Sequence, residues 1–157
     1  MKGAVSHELE VALPAEKIWA VYRGLRLAEL IVELLPNLLN KFEIIEGDGE
    51  VGTILRLHWP PGMPMAMVIY KEKFTKVDDE RRVKEVHTIE GGFLQLGFSS
   101  YMVRLEIIAK GEAASIIRSV IEYEVDDKFA NNVSFVSTTT LATIHETIGK
   151  YLVEQES

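Results

Sequence analysis

The chain is 157 residues long, a length that suits one domain, and 47% of it is apolar, enough for a sizeable core or a lined cavity. Its net charge of −7 excludes the basic face that nucleic-acid phosphates require and argues against docking on an anionic membrane. It contains no cysteine, which excludes disulfides, thiolate metal sites and cysteine catalysis.

The N-terminal "MKGAVSHELEV" lacks a basic region followed by an apolar run and a cleavage site. No stretch is long enough to span a membrane. The expectation is one cytoplasmic domain over residues 1–157. The first element is a strand, "SHELEVAL", in which His7, Leu9, Val11 and Leu13 alternate with polar or small residues. Pro14 then opens "PAEKIWAVYRGL", a short helix ended by Gly24. A second helix, "LAELIVELLP", stops at Pro36. Strands follow: "NKFEIIEG" and "VGTILRLHW" around the turn "GDGE", then "MVIYKEKFTKV" and "RRVKEVHTIEG" around "DDE". "FLQLGFSSYMVRLEIIA" reads as one long strand with a bulge or bend at Gly97, and "KGEA" turns it into "ASIIRSVIEYEV". Asp126 or Asp127 caps a final helix of roughly 25 residues, with Phe129, Val133, Val136, Thr140, Ile144, Ile148 and Tyr151 at helical spacing. The economical packing curls the seven predicted strands around that helix, with the two short helices closing one end.

"GDGEVGT" (Gly47–Thr53) looks at first like a phosphate loop. It lacks the lysine such a loop needs, a strand rather than a helix follows it, and Asp48 and Glu50 repel phosphate. It reads as a glycine hairpin. His7, His58, His87 and His145 form no metal-binding pattern, and no GxSxG elbow accompanies the C-terminal Ser and Thr residues. The informative charges lie in "IYKEKFTKVDDERRVKEV", where Tyr70, Glu72 and Phe74 share one face of a strand. Lys84 comes back across the hairpin towards Glu72. Such a pair is either a solvated cross-strand ion pair or an acid–base couple at an apolar cavity, where desolvation shifts both pKa values. Met63, Met65 and Met67 are either core filler or the wall of an adaptable pocket.

"HELEV", "IWAVY", "IIEGDGEVGTI", "YKEKF", "VKEV", "IEGGFLQLGFSSYM" and "IEYEV" together resemble the norcoclaurine and norbelladine synthases, from about His7 to Leu152. These are the alkaloid-forming branch of the plant pathogenesis-related class 10 (birch pollen allergen) family. The resemblance implies an α+β helix-grip fold enclosing an apolar cavity. It implies Tyr70, Glu72 and Lys84 as catalytic residues, with Met63, Met65, Met67, Phe93, Phe98, Tyr101, Val103 and Leu141 binding substrate. Norcoclaurine synthases condense dopamine with 4-hydroxyphenylacetaldehyde and close the ring, and their motif carries an aspartate where this chain has Val103. Norbelladine synthases, which tend to be aliphatic there, condense tyramine with 3,4-dihydroxybenzaldehyde to an imine that is then reduced. The resemblance therefore implies imine formation from a phenolic amine and aldehyde, without metal or organic cofactor and with an imine reductase as partner. A ring-closing synthase and a non-catalytic carrier of an apolar ligand are the alternatives.

Overall fold

The computed structural model describes residues 1–60 and 68–156. The expected Met63, Met65 and Met67 wall lies outside the described residues. The strands are β1 (Lys2–Val11), β2 (Lys41–Glu46), β3 (Ile54–His58), β4 (Ile69–Asp78), β5 (Val83–Gly91), β6 (Phe98–Lys110) and β7 (Ala114–Val125). They form one antiparallel sheet in the order β1-β7-β6-β5-β4-β3-β2. Helices α1 (Ala15–Tyr22) and α2 (Arg26–Leu34) and the C-terminal α3 (Thr139–Gln155) cover its inner face. This is the helix-grip arrangement. Among the described residues no helix is long and apolar enough to cross a membrane.

Strict alternation along β1 sets one row of side chains against α3 and leaves the other in solvent. The inner face of β4 to β7 carries rows across the strands. One runs Phe74, Val86, Val103, Ile121, and the next runs Lys84, Leu105, Ser119 and on to His7 of β1. The outer face carries charge: Arg104 of β6 bonds Glu85 of β5 at 2.7 Å and Glu122 of β7 at 2.8 Å.

Two expected elements differ. Residues 93–96 do not continue β6: Gly92–Leu96 forms a 3₁₀ turn ended by Gly97 at φ 89°, with the Phe129 ring packed against Gly97. The final helix is also shorter than expected. Asp126 does cap, accepting a hydrogen bond from the Lys128 amide, but the turn it starts is 3₁₀ and breaks at Phe129. Val136 is extended, and α3 begins only at Thr139. The cause is local. Asn, Ser and Thr side chains compete for backbone groups and disfavour a helix interior. Asn132 donates to the Leu96 carbonyl, and Ser137 Oγ accepts from the Thr139 amide. Val133 and Val136 instead pack on a separate aromatic cluster of Phe93, Phe98 and Tyr123.

The β2–β3 hairpin answers the question raised by "GDGEVGT". Its amides are turned inward: Gly49 donates to Thr53 Oγ1 at 2.8 Å, and Glu50 donates to Asp48 Oδ1 at 3.3 Å. Gly47 (φ 93°) and Gly52 (φ 98°) both occupy left-handed backbone. A Cβ at Gly47 would lie 2.6 Å from the Thr53 Cα, whereas one at Gly52 meets nothing within 4 Å. Gly52→Ala is expected to lower the unfolding free energy by about 1 kcal/mol, from backbone strain alone. Gly47→Ala adds a clash with main chain and is expected to cost about 3 kcal/mol. Urea denaturation of the two variants reads the difference, and equal losses would remove the Thr53 contact from the account.

Candidate active site

Where the helices leave the sheet uncovered, a cavity of about 400 Å³ opens between β4–β7 and α3. That volume lies within the range of about 300–1,000 Å³ usual for small-molecule sites. Its polar wall is Tyr70 and Glu72 of β4, Thr88 of β5 and Tyr101 of β6. Its apolar wall includes Val86, Val103 and Ile121 from the sheet and Leu141 and Ile144 from α3. Alternation places the polar side chains. Glu72 is opposite Thr88 in the β4–β5 ladder, so both point inward. Phe93 stacks on Tyr101 with ring centroids 4.1 Å apart, and Trp59 stacks on Tyr70 at 6.3 Å. Phe135, Ser137 and Thr140 line the side from which α3 starts.

The expected site residues therefore separate into groups. Tyr70, Glu72, Phe93, Tyr101, Val103 and Leu141 share the cavity. Phe98 does not line it: that ring is edge-on to Phe93 and Tyr123 within the neighbouring aromatic cluster. Lys84 is not part of the wall either. It lies one row deeper, opposite Val77 and Leu105, at 2% exposure. Among the described residues it makes no direct ion pair with Glu72. Its Nζ donates to the main-chain oxygens of Tyr22 at 3.0 Å and Gly24 at 3.2 Å, and it sits 3.9 Å from the centroid of the Phe74 ring. Sequence reasoning missed Thr88, although alternation from Lys84 through Val86 puts it on the inner face. It also missed Ile121, which only the β6–β7 register reveals, and Trp59, whose stacking on Tyr70 has no sequence signature.

The electrostatics follow from burial. Loss of water pushes the Glu72 carboxyl up to about 7, against the opposing pull of the Lys84 charge. Burial pushes the Lys84 ammonium down to about 8, with Glu72 working the other way and Arg23 adding to the fall. The two groups exchange protons as a pair. Burial, reinforced by Glu72, raises the phenols of Tyr70 and Tyr101 above their usual range, so both remain hydrogen-bond donors. The cavity thus presents one carboxyl balanced between its two protonation states, flanked by two phenol donors. Among the described residues there is no group of three or more His, Asp or Glu side chains placed to hold a metal. A second groove, about 450 Å³, opens near Arg56, Lys71, Glu90 and Gln95, but Lys71 and Glu90 are already paired there at 3.0 Å.

Known proteins resemble this chain over its whole length. The chain is 50% identical over 157 residues to a norbelladine synthase of Narcissus pseudonarcissus, covering all of this chain and 96% of that one. It is 43% identical over 155 residues to an S-norcoclaurine synthase of Thalictrum flavum subsp. glaucum, covering 98% of this chain and 72% of that one. The crystal structure of norcoclaurine synthase from Thalictrum flavum in complex with dopamine and hydroxybenzaldehyde superposes with a TM-score of 0.89 at 41% identity. That alignment covers all of this chain and 90% of the other. The pathogenesis-related protein Bet v 1 family matches residues 1–155, and the chain belongs to that family.

Proposed function

We propose that this chain condenses a phenylethylamine with a phenolic aldehyde to an imine, as a cytosolic step of plant alkaloid biosynthesis. The observation that carries the reading is the Glu72 carboxyl, poised near neutrality in an apolar cavity between two phenol donors. The likeness to norbelladine and norcoclaurine synthases supports the choice of substrates. Aromatic rings of amine and aldehyde stack along Phe93, Tyr101 and the Val86–Val103–Ile121 row. Holding two reactants together out of water supplies much of the rate. The neutral amine attacks the carbonyl carbon, and the Glu72 carboxylate takes one proton from the nitrogen and delivers it to the carbonyl oxygen, giving the carbinolamine. Glu72 then takes the remaining nitrogen proton and passes it to the departing hydroxyl, which leaves as water while the nitrogen lone pair forms the C=N bond. The products are one imine and one water. Tyr70 and Tyr101 donate to the substrates' oxygens.

Lys84 enters this scheme as a fixed positive charge. In this scheme it acts as a cation held by two carbonyls, and no Schiff base forms on the enzyme. It offsets the desolvation of Glu72 and keeps that carboxyl titrating near neutral pH. Lys84 lies outside the cavity wall, so the scheme gives it no hydrogen bond to the aldehyde oxygen. Val103 is aliphatic and holds no acceptor for a second proton transfer, which favours release of the open imine, to be taken up by a reductase.

The test is incubation of the purified chain with tyramine or dopamine and 3,4-dihydroxybenzaldehyde or 4-hydroxyphenylacetaldehyde, trapping imines with borohydride. Trapped amine above the uncatalysed background is expected, with little chiral ring-closed product. Glu72→Gln is expected to slow condensation by about 10²–10⁴-fold, and Lys84→Met to slow it as well; full activity in both variants would dismiss these roles. No turnover in the wild type would leave a ligand carrier. The kcat/KM profile, corrected for the free-amine fraction of the substrate, is expected to be a narrow bell. It rises through about pH 7 as Glu72 ionises and falls through about pH 8 as Lys84 loses its proton. Loss of the acidic limb in Glu72→Gln is the check on the assignment. Val103→Asp is expected to raise the ring-closed fraction with dopamine, read by chiral chromatography; an unchanged fraction would show that position 103 does not decide the product.

A further inference from the structure

Behind the cavity lies a second buried polar group that the condensation does not touch. The His145 ring of α3 is 1% exposed, and both of its nitrogens are occupied. Nδ1 shares a hydrogen bond with the Tyr22 hydroxyl at 2.7 Å, and Nε2 shares one with Ser119 Oγ at 2.6 Å. Tyr22 and Ser119 are themselves fully buried. A buried polar trio of this kind is costly to assemble and calls for an explanation. The explanation lies at the other end of Tyr22. Its phenol is held by His145, while its main-chain oxygen accepts from Lys84 Nζ.

Tyr22 is the last residue of α1, whose free carbonyls carry the negative end of the helix dipole. Lys84 sits on that end, and its second acceptor, the Gly24 carbonyl, lies just beyond. Every residue of this junction is anchored from outside. Tyr22 is tied to His145, and Arg23 bonds Asp79 at 2.7 Å and Glu50 at 2.9 Å. Gly24 and Leu25 lie against Gly49 of the glycine hairpin, so closely that a Cβ on Gly49 would come within 3.3 Å of Leu25. Two of the three ammonium protons of Lys84 are thereby assigned to carbonyls whose neighbours are tied to other elements.

We propose that Tyr22, His145 and Ser119 form a positioning device for Lys84, fixing the α1 carbonyls that hold its ammonium in place and charged beneath the cavity. This rests on the function proposed above only for its effect on catalysis. The groups that face Lys84 are Glu72 and Phe74 of β4, Tyr22 and Gly24 at the end of α1, and Arg23. Those that face His145 are Tyr22, Ser119 and His7 of β1. Burial, with a smaller push from His7, takes His145 down to about 3, so it works as a neutral ring through the whole active range.

The experiment is a ¹³Cε-lysine NMR titration of the full chain, with the Lys84 signal identified by its loss in Lys84→Arg. Tyr22→Phe keeps the ring and the carbonyl but deletes the hydroxyl. It is expected to lower the Lys84 midpoint by about 0.5–1 pH unit, because a loosened cradle favours the ammonium less. In turnover the same variant is expected to lose roughly tenfold in kcat, with KM kept within about twofold, and the basic limb of the profile should move down with the midpoint. Ile117→Val, in a fully buried apolar residue outside the network, serves as the packing control and is expected to leave the midpoint in place. Should Tyr22→Phe fail to fold, Ser119→Ala reads the same device from the far side of His145, with a smaller shift of the same sign. An unmoved midpoint in Tyr22→Phe or, in its place, Ser119→Ala, or an equal shift in Ile117→Val, overturns the proposal. The titration needs no substrate. A chain without condensing activity whose midpoint still moves would retain the device and lose only the function.

Discussion

An antiparallel sheet with one apolar face has to cover that face, and here the covering helices are too short to do so. Helices α1 and α2 close one end, and α3 lies along β1 with its N-terminus delayed to Thr139. Fully buried aliphatic residues fill the covered end. At the other end, the space left between the sheet and α3 is the cavity. Asn132 bonds the distant Leu96 carbonyl, and Ser137 and Thr139 bond each other, where the helical register is broken before α3. The site is thus a consequence of incomplete packing, with sheet alternation deciding which side chains face it.

Charges placed in such a space have to be answered from within the protein. Lys84 is answered by the carbonyls of α1, by the ring of Phe74 and, at longer range, by Glu72. These contacts to Lys84 of β5 come from β4 and from the end of α1, so the site is assembled only when β4, β5 and α1 are docked together. The outer face of the sheet offers a contrast. Its ladders, such as Arg104 with Glu85 and Glu122, are partly exposed, and solvent screening leaves such pairs little energy. They lie on the solvent side, while Glu72 and Lys84 are the charges buried on the inner face.

Much of this was legible in the chain. Strand alternation places Tyr70, Glu72, Lys84, Val86 and Val103 on the inner face without any structure, and the glycines of Gly47–Gly52 announce their turn. Periodicity misled at the C-terminus. Phe129, Val133 and Val136 repeat at helical spacing, yet Phe129 is taken up by Gly97, and Val133 and Val136 by a cluster that includes Phe93 and Phe98, more than 30 positions away. The depth of Lys84 was hidden for a related reason. Sequence distance across a hairpin suggests that residues 72 and 84 meet, but the turn that follows Asp78 sets Lys84 opposite Val77, so Glu72, further from the turn, pairs with Thr88. The link from His145 to Lys84 through Tyr22 was beyond reach, since it joins side-chain contact on one side of a residue to main-chain contact on the other.

The buried pair also sets the chain's stability against its chemistry, and the signs can be followed. The Glu72 carboxyl has its pKa raised from 4.5 to about 7 on folding. Between those values the folded state binds more protons than the unfolded, so stability falls as pH rises through the window. The Lys84 ammonium has its pKa lowered from 10.5 to about 8. Between those values the folded state binds fewer protons, so stability rises with pH there and is lost as pH falls towards 8. Both groups therefore weigh against folding most heavily between about pH 7 and pH 8, where both are charged. That is also the interval in which a carboxylate base and a protonated lysine coexist. The apolar core and the fully bonded Tyr22–His145–Ser119 group carry the difference. The fold tolerates a destabilised interior at the pH where the destabilised groups are the useful ones.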